Sequence, residues 1–271
     1  MRGSVERYVS GRLERGEISA NTARQLRWRL GTLVRSAPDL AIGDLERSHV
    51  LAWAATIGSQ RPASRRAYLS TVKTFCRWAL EEELIGRDPT ARLSAVREPR
   101  RPPRALSAPQ MTRLQLVLPD HRARLIVALM GRLGLRCCEV ANLRVEHWDR
   151  DVEALEITGK GGNTRTVAVP GDVAQSLRAH LRNRHSGKMV SGTAATLSRQ
   201  VTAWMDQAGL KSAPYDGMSA HALRHTAASD ALDRCGNVRV VQELLGHANL
   251  ATTDRYLRRA DLAAQRAALG A

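Results

Sequence analysis

The chain has little of what a secreted or membrane-spanning protein needs. Its 271 residues include one phenylalanine, and aromatic residues make up 4% of the sequence. Any core must therefore be built mainly from leucine, valine, alanine and isoleucine. No apolar run reaches the ~18 residues that indicate a membrane span, and no signal peptide opens the chain. We expect a soluble, cytoplasmic protein without a membrane partner.

Several binding motifs are also missing. The chain has neither the GxxxxGK[ST] spacing of a nucleotide-binding loop nor a GxGxxG dinucleotide fingerprint. Its four cysteines form no CxxC pair of the kind that binds zinc. We therefore predict no cofactor, no metal and four reduced thiols, with the adjacent Cys137 and Cys138 as small buried residues.

Arginine, in contrast, is abundant. The formal net charge is +16, and only four of the cationic residues are lysines. A GC-rich genome favours arginine over lysine, but codon bias alone does not explain the large excess of cations over acids. A polyanionic partner explains that excess, and nucleic acid is favoured over an anionic membrane surface.

Prolines and arginines cluster in REPRRPPRAL, residues 97–106. Proline breaks helices and pushes the preceding residue toward extended conformations, so this stretch predicts an exposed basic linker. It separates a helical segment, residues 1–96, from a mixed α+β segment, residues 107–271. The predicted fold class is mainly α with a small antiparallel β-sheet.

The clearest helix of the first segment is predicted over 62–85. Its apolar stripe recurs at helical spacing and consists of Tyr68, Val72, Phe75 and Ala79. A second stripe carries one sign of charge, with Arg66, Lys73 and Arg77. Such a stripe is usually only a solvated face, but on so basic a chain we interpret it as a contact to the DNA backbone. Arg199, in a predicted helix of the second segment, is a further candidate contact.

The second segment alternates between helices and one predicted β-hairpin. Asp120 is the expected N-cap of a helix that stops near Gly134. Apolar residues alternate on both sides of the glycine-rich turn in ALEITGKGGNTRTVAVP, which predicts two strands with Lys160 at their tip. Helical runs follow in HALRHTAASDALDR and VRVVQELLGH.

In HALRH, the spacing places His221, Arg224 and His225 on one face of a helix. The two histidines have the spacing of a metal-ligand pair. Arg224, however, would direct a cation at the metal, and no acidic third ligand is near. The structural alternative is a helix start with capping and core histidines. We favour a phosphate site, because the arginine fork and a histidine both donate to phosphate oxygens.

Other candidate residues are weak signals when each is taken alone. Arg136 follows a glycine in a chain where arginine is common, and a glycine-flanked lysine such as Lys160 usually lies in a solvated turn. Tyr256 lies nine residues after His247 in a polar, threonine-rich segment. That segment offers a tyrosine few packing partners, so its hydroxyl is a candidate for chemistry.

Taken together, four motifs in this order resemble the tyrosine recombinase, or phage integrase, family. They are GLRCCEVANL, TGKGGNTRTVAVP, HALRHTAAS and LLGHANLATTDRY, and the resemblance covers most of residues 105–260. The first 96 residues match more loosely. The resemblance implies a helical core-type DNA-binding domain (1–96), a basic linker (97–106), and a catalytic domain with a C-terminal tail (107–271). It indicates the minimal form, without an arm-binding domain.

The resemblance also implies how a scissile phosphate would be held. Arg136 and Arg224 would bind its nonbridging oxygens. His221 would donate a further hydrogen bond or assist proton transfer, and His247 would bond to or position the phosphate. Glu139, three residues after Arg136, matches an acidic position that supports the active site.

Two further residues would carry out strand cleavage. Tyr256 would attack phosphorus and form a 3′-phosphotyrosyl link, and Lys160 would protonate the leaving 5′ oxygen. A tyrosine has an ordinary pKa of about 10, so surrounding cations are needed to favour its phenolate. The covalent ester retains the energy of the broken phosphodiester, so that neither ATP nor metal is required.

The implied function is site-specific DNA recombination for integration or excision of a phage or mobile element. The implied DNA partners are double-stranded attachment or core sites, on which the protein would form a homotetramer. An accessory directionality factor is a further implied partner. The implied location is the nucleoid of a bacterial cell. The alternatives are a Xer-type resolvase of chromosome or plasmid dimers, a type IB topoisomerase-like nicking-closing enzyme, and a DNA-binding protein without activity.

Overall fold

The computed structural model describes residues 1–94, 104–159, 162–213 and 216–246. The chain divides into two compact units, Met1–Arg100 and Arg101–Ala271, so the boundary falls within the predicted linker. Leu106, the last residue of that linker, is buried in the core of the second unit, and its amide donates to Thr226 Oγ1 at 2.8 Å. The exposed stretch that the sequence predicts therefore does not extend to Leu106.

The described part of the first unit contains four α-helices. These are α1 (Arg2–Glu14), α2 (Ala20–Ser36), α3 (Arg47–Thr56) and α4 (Pro62–Glu81), with a 3₁₀ turn at Ile42–Asp44. Ser19 caps α2 by accepting a hydrogen bond from the Thr22 amide at 3.3 Å, which satisfies one of the first-turn donors. Pro62 occupies the first turn of α4, where its missing N–H costs nothing.

The core of the first unit is aliphatic around a small aromatic cluster. Phe75 contacts Tyr8 edge-on at a centroid distance of 5.5 Å and stacks on Trp78 at 5.7 Å. The predicted stripe of α4 is confirmed, with its residues buried apart from a half-buried Tyr68. The helix nevertheless ends at Glu81, before the predicted residue 85. Successive glutamates oppose the negative C-terminal end of the helix dipole, and Glu83 turns the chain at φ 55°.

The second unit places helices around a three-stranded sheet. Its described helices are α5 (Ala108–Leu116), α6 (His121–Gly131), α7 (Cys137–Asn142), α8 (Gly171–Leu181), α9 (Ala194–Gln207), α10 (Ala220–Cys235) and α11 (Val238–Leu245). The predicted N-cap of α6 is confirmed, because Asp120 Oδ1 accepts from the Ala123 amide at 2.7 Å.

The sheet is antiparallel in the order β1 (Trp148–Asp149), β2 (Ala154–Thr158) and β3 (Thr164–Ala168). The predicted hairpin is confirmed, and Thr158 pairs with Thr164 at the turn. Strand β1 departs from the sequence pattern, because CCEVANLRVEHW, residues 137–148, predicts a further helical run. Instead, α7 ends at Asn142 and a 3₁₀ turn at Val145–His147 leads into β1. Two residues are too few to display strand alternation.

The predicted fold class, mainly α with a small antiparallel sheet, is confirmed. Among the described residues, no helix is both long and apolar enough to cross a membrane. The expectation of two buried cysteines is wrong at Cys138, which is exposed, while Cys137 is half-buried. They are the first two residues of α7, and one helical step of about 100° turns the second away from its neighbour's packing surface.

Candidate active site

Arg136 and Glu139 meet at the start of α7. Arg136 is the N-cap residue of this helix. The Glu139 carboxylate reaches back and accepts from the Arg136 main-chain amide and from its Nη1, each at 2.8 Å. A carboxylate in the first helical turn also suits the positive end of the helix dipole. The three-residue spacing thus brings two predicted site residues into direct contact.

A second arginine, Arg165 on β3, binds the same carboxylate with both ends of its fork. Its Nη1 and Nη2 donate to the Glu139 oxygens at 3.0 and 3.1 Å. Arg224 Nη1 lies 3.8 Å from Glu139 Oε2. Three guanidinium groups therefore surround one carboxylate, and their formal charges sum to 3 − 1 = +2. We call Arg136, Glu139, Arg165 and Arg224 the arginine cluster.

Glu139 is ionised in this cluster. Its side chain is 2% exposed, and burial alone would raise its pKa. The hydrogen bonds from Arg165 and the Arg136 amide, with the positive charges of both arginines, outweigh that burial and hold the pKa of Glu139 below its ordinary value. The carboxylate is therefore a fixed negative centre that orders the guanidinium groups around it.

Arg224, on α10, is buried, as only a paired arginine can be. Its Nη1 donates to the Gly134 carbonyl, and its Nη2 donates to the Leu245 carbonyl at 2.6 Å. Gly134 has a φ of +67°, and a Cβ there would lie 2.5 Å from Leu245 Cδ2. Only glycine therefore lets the end of α11 approach this closely.

The last carbonyl groups of α11 accept hydrogen bonds from all three arginines. The Leu245 carbonyl accepts from Arg224 and, at 3.5 Å, from Arg136 Nη1, while the Leu244 carbonyl accepts from Arg165 Nε at 3.0 Å. The last carbonyls of a helix lack partners within it and carry its partial negative charge. The cluster satisfies these groups, and it shows that Arg136 and Arg224 converge on one oxygen atom.

His221 lies in the first turn of α10 beside these cations. Desolvation of the covered part of its ring, with the positive charges of Arg224 and Arg136, lowers the pKa of His221. At neutral pH the imidazole is therefore uncharged and carries a single N–H. The ring centroid of His225 lies 6.4 Å away. Within the described ranges, no group of His, Cys, Asp or Glu side chains is arranged to hold a metal ion.

The remaining predicted catalytic residues, Lys160, His247 and Tyr256, lie outside the described residues. The glycines that precede the first two are described. A Cβ built on Gly159 would lie 3.8 Å from Arg165 Nη1 and 3.9 Å from Glu139 Oε1. One built on Gly246 would lie 2.9 Å from Arg165 Nη1. The residues before Lys160 and His247 are therefore both adjacent to the arginine cluster.

Comparison with known proteins shows which family the chain belongs to. Residues 106–262 match the model of the phage integrase family, a range that contains all six predicted catalytic residues. The tyrosine recombinase XerC of Xanthomonas campestris pv. campestris (strain B100) is 30% identical over 267 residues, covering 93% of this chain and 83% of that protein. The chain belongs to the phage integrase family.

This recombinase also shares its fold with solved members of the family. It aligns with a lambda integrase(75-356) dimer bound to a COC' core site at a TM-score of 0.79 and 18% identity, over 94% of each chain. A lambda integrase tetramer bound to a Holliday junction aligns at a TM-score of 0.79 and 19% identity, over 94% of this chain and 76% of that one. The predictions of a tyrosine recombinase and of its enzyme class are confirmed.

Sequence reasoning missed Arg165, which the fold of this recombinase places in the arginine cluster. It lies within the glycine-rich motif, where the sequence draws attention only to Lys160. A signal was available, because Arg165 and the buried Val167 are two residues apart on a strand and therefore share a face. An arginine on the inward face of a strand needs a buried acidic partner. The identity of that partner, Glu139, is visible only in the fold.

The predicted DNA-binding residues differ in their surroundings. Arg66 and Arg77 are exposed on α4, and Arg199 is exposed on α9. Lys73 is half-buried, and its Nζ donates to the Leu93 carbonyl at 2.8 Å. The basic stripe of α4 is therefore interrupted at its centre, because the ammonium group is bonded to a segment of chain beyond the end of the helix.

The first unit also brings an exposed tryptophan together with the exposed Arg24 and the half-buried Arg29. An open groove between α2 and α4 is lined by Arg24, Trp28, Arg29, Ser64 and Tyr68, among others. Trp28 is 64% exposed, and its Nε1 donates to the Tyr68 hydroxyl at 3.0 Å. This groove was not predicted, although a tryptophan between arginines on a helix is a recognisable signal for nucleic-acid binding.

Proposed function

We propose that this recombinase cuts and rejoins DNA at specific sites through a covalent 3′-phosphotyrosyl intermediate on Tyr256. The observation that carries the proposal is the convergence of Arg136 and Arg224 on the Leu245 carbonyl, at 3.5 and 2.6 Å. An acceptor atom at the position of the Leu245 oxygen accepts hydrogen bonds from the N-cap of α7 and from α10. A nonbridging phosphate oxygen needs the same arrangement, and it carries more negative charge than a carbonyl.

The cluster supplies the electrostatic part of the reaction. Phosphoryl transfer concentrates negative charge on the nonbridging oxygens. Preorganised donors aimed at that charge stabilise the transition state by about 3 kcal/mol for each good donor. The net positive charge of the cluster faces this oxygen position. His221 adds one N–H, and we assign to His247 a further contact with the phosphate.

The bond exchange balances without a cofactor. The Tyr256 hydroxyl loses its proton to solvent, and its oxygen forms a bond to phosphorus as the bond from phosphorus to the 5′ oxygen breaks. We assign the proton that the 5′ oxygen takes up to Lys160. Attack by a 5′ hydroxyl of another strand reverses these steps and releases Tyr256, which joins the new strands.

The test uses short duplexes tiled across the DNA that flanks the gene, each with a nick beside the candidate cleavage position. Wild-type protein is expected to form an adduct that survives denaturing electrophoresis, because the released oligonucleotide diffuses away. Tyr256→Phe removes the nucleophile and should form none, whereas the matched control Tyr215→Phe should react normally. If no duplex forms an adduct, the result would favour the alternative of a DNA-binding protein without catalytic activity. Relaxation of supercoiled DNA that lacks a site would favour the topoisomerase-like alternative.

Two biological roles remain distinct within this chemistry. We propose integration or excision of a phage or mobile element as the first, with an accessory directionality factor as a partner. Resolution of chromosome or plasmid dimers is the second candidate, favoured by the similarity to XerC over 93% of the chain. Recombination between two identical copies of the mapped site indicates dimer resolution, and recombination only between two unlike sites indicates integration.

We further propose that the first unit binds DNA and that the active complex is a homotetramer at the bacterial nucleoid. The lambda integrase tetramer on a Holliday junction has the same fold, which supports this assembly. In the first unit we place the DNA contact at the groove of Arg24, Trp28 and Arg29. There, an exposed aromatic face accompanies cations, a combination suited to sugars, bases and phosphates. The exposed Arg66, Arg77 and Arg199 are secondary candidates.

A further inference from the structure

We propose that Arg165 is a positioning residue that holds the hairpin of β2 and β3, and with it Lys160, against the phosphate-binding arginines. The inference rests on the proposed function, since it concerns the proton that Lys160 gives to the leaving 5′ oxygen. It adds to the reaction a residue that touches neither the phosphate nor the nucleophile.

Arg165 differs from the two proposed phosphate ligands in what its fork binds. Both ends of its fork donate to the Glu139 carboxylate, whereas Arg136 and Arg224 each donate to the Leu245 carbonyl. The Arg165 side chain is 12% exposed. Each of its three guanidinium nitrogens already donates within the protein, two to the Glu139 carboxylate and one to the Leu244 carbonyl. A single side chain on β3 thus ties together α7, which follows directly on Arg136, and the end of α11, which precedes His247.

The anchor lies at the end of the described hairpin, next to the glycine that precedes Lys160 in the sequence. Arg165 immediately follows the pair Thr158–Thr164 that closes the hairpin, and the Gly159 amide donates to the Asn163 carbonyl at 2.7 Å. Gly159 directly precedes Lys160, and a Cβ on it would stand 3.8 Å from Arg165 Nη1. The backbone that leads into Lys160 therefore rests against the bond between Arg165 and Glu139.

The sheet itself does not depend on this side chain. Five residue pairs join β2 to β3, and two join β1 to β2. Loss of the Arg165 fork should leave the hairpin formed but free to shift relative to α7. Lysine cannot replace the fork, because its single ammonium group does not match the two carboxylate oxygens in one plane.

This role predicts a defect in one chemical step. When Tyr256 attacks, the leaving 5′ oxygen needs a proton, and a displaced Lys160 would supply it slowly. A 5′-bridging sulfur in place of that oxygen leaves as a thiolate, which is stable without the proton. The sulfur substrate should therefore react normally even when Lys160 is misplaced, whereas a weakened grip on the phosphate would slow both substrates.

The experiment measures adduct formation on the mapped cleavage site with an oxygen or a sulfur at the bridging position. Arg165→Ala should be slower by about 10²-fold or more on the oxygen substrate, the range that a general acid contributes, and close to wild type on the sulfur substrate. Lys160→Ala is the reference for this pattern. Arg178→Ala is the matched control, because Arg178 pairs with an exposed Glu153 elsewhere in the same unit, and it should match wild type on both.

Arg165→Lys guards against a fold defect, since it keeps the charge and most of the side chain. It should retain the wild-type circular dichroism spectrum and still show the defect on the oxygen substrate with rescue by sulfur. Equal slowing on both substrates, or a wild-type rate for Arg165→Ala with oxygen, would overturn the inference. Failure of wild-type protein to form any adduct would instead refute the proposed function, and this inference with it.

Discussion

Glu139 does more at the residue scale than its sequence position suggests. The motif identifies it as a supporting residue three positions from Arg136. In the fold its two oxygens accept from Arg136 and Arg165, with Arg224 at 3.8 Å. Without this carboxylate, three like charges would lie close together in a partly buried site. Glu139 therefore allows the three guanidinium groups to lie close together in the folded protein.

Glu139→Gln should lower the free energy of unfolding by about 3–5 kcal/mol at pH 7, since it removes one partner of a buried ion pair. The folded-state pKa of Glu139 lies below the ordinary value of 4.5. Its stabilisation is therefore present above that pH and is lost as pH falls through the folded-state pKa. Urea unfolding at pH 7 and in acid measures both effects, and the difference between the two proteins should narrow in acid.

Glu153→Gln is the matched control for that substitution. Glu153 pairs with Arg178 in the same unit, but both side chains are well exposed, so the change should cost less than about 1 kcal/mol. Equal losses for the two variants would contradict the central role of Glu139.

At the scale of elements, the short helix α11 is held in place by close packing of its C-terminal end against α10 and Gly134. Its Val241 and Leu245 pack with Ala228 and Leu232 of α10, and its last carbonyls receive the arginines. Gly134 makes this approach possible, and Gly246 ends the helix in a left-handed conformation with a φ of +63°. The element that leads into His247 and Tyr256 is thus fastened at its C-terminal end.

Gly134→Ala should loosen this fastening. Alanine at a positive φ costs about 1–2 kcal/mol, and the collision with Leu245 adds about 1–3 kcal/mol. Gly209→Ala separates the two contributions, because Gly209 has a similar φ of +66° and no atom within 4 Å of the position that a Cβ would take. Thermal unfolding should show the larger loss for Gly134→Ala, and equal losses would mean that α11 does not press on residue 134.

The whole molecule is dominated by its excess of positive charge. A net charge of +16 favours strong, sequence-independent attraction to DNA, and under the proposed function the cluster and the groove are two places where that charge has a local purpose. The cluster directs its charge at one oxygen position in the second unit. The groove of the first unit pairs its charge with an exposed tryptophan. We therefore propose that attraction to DNA and chemistry on DNA use different sets of arginines.

Binding to duplex DNA should be strongly salt-dependent. Contacts with 6–10 phosphates would lower the affinity by roughly 10³–10⁵-fold between 50 and 200 mM salt. The double variant Arg24→Gln and Arg29→Gln should reduce the slope of log affinity against log salt by about 2, close to one for each phosphate that is no longer neutralised. Fluorescence anisotropy measures these slopes. Arg7→Gln, at an arginine paired with Glu82, is the control, and an unchanged slope in the double variant would rule out the groove as the DNA-binding surface.

The sequence by itself determined the family, the helical stripe of α4, the hairpin and the identity of the candidate catalytic residues. These features depend on local periodicity or on short motifs whose spacing is read directly along the chain. The arginine cluster is different, because its members come from α7 and its N-cap, β3 and α10 and meet at the end of α11. Long-range packing decides which arginine shares the Glu139 carboxylate. It also decides that residue 134 must lack a side chain. Only the tertiary structure brings residues 136, 165 and 224 to within bonding distance of one carboxylate or one helix end.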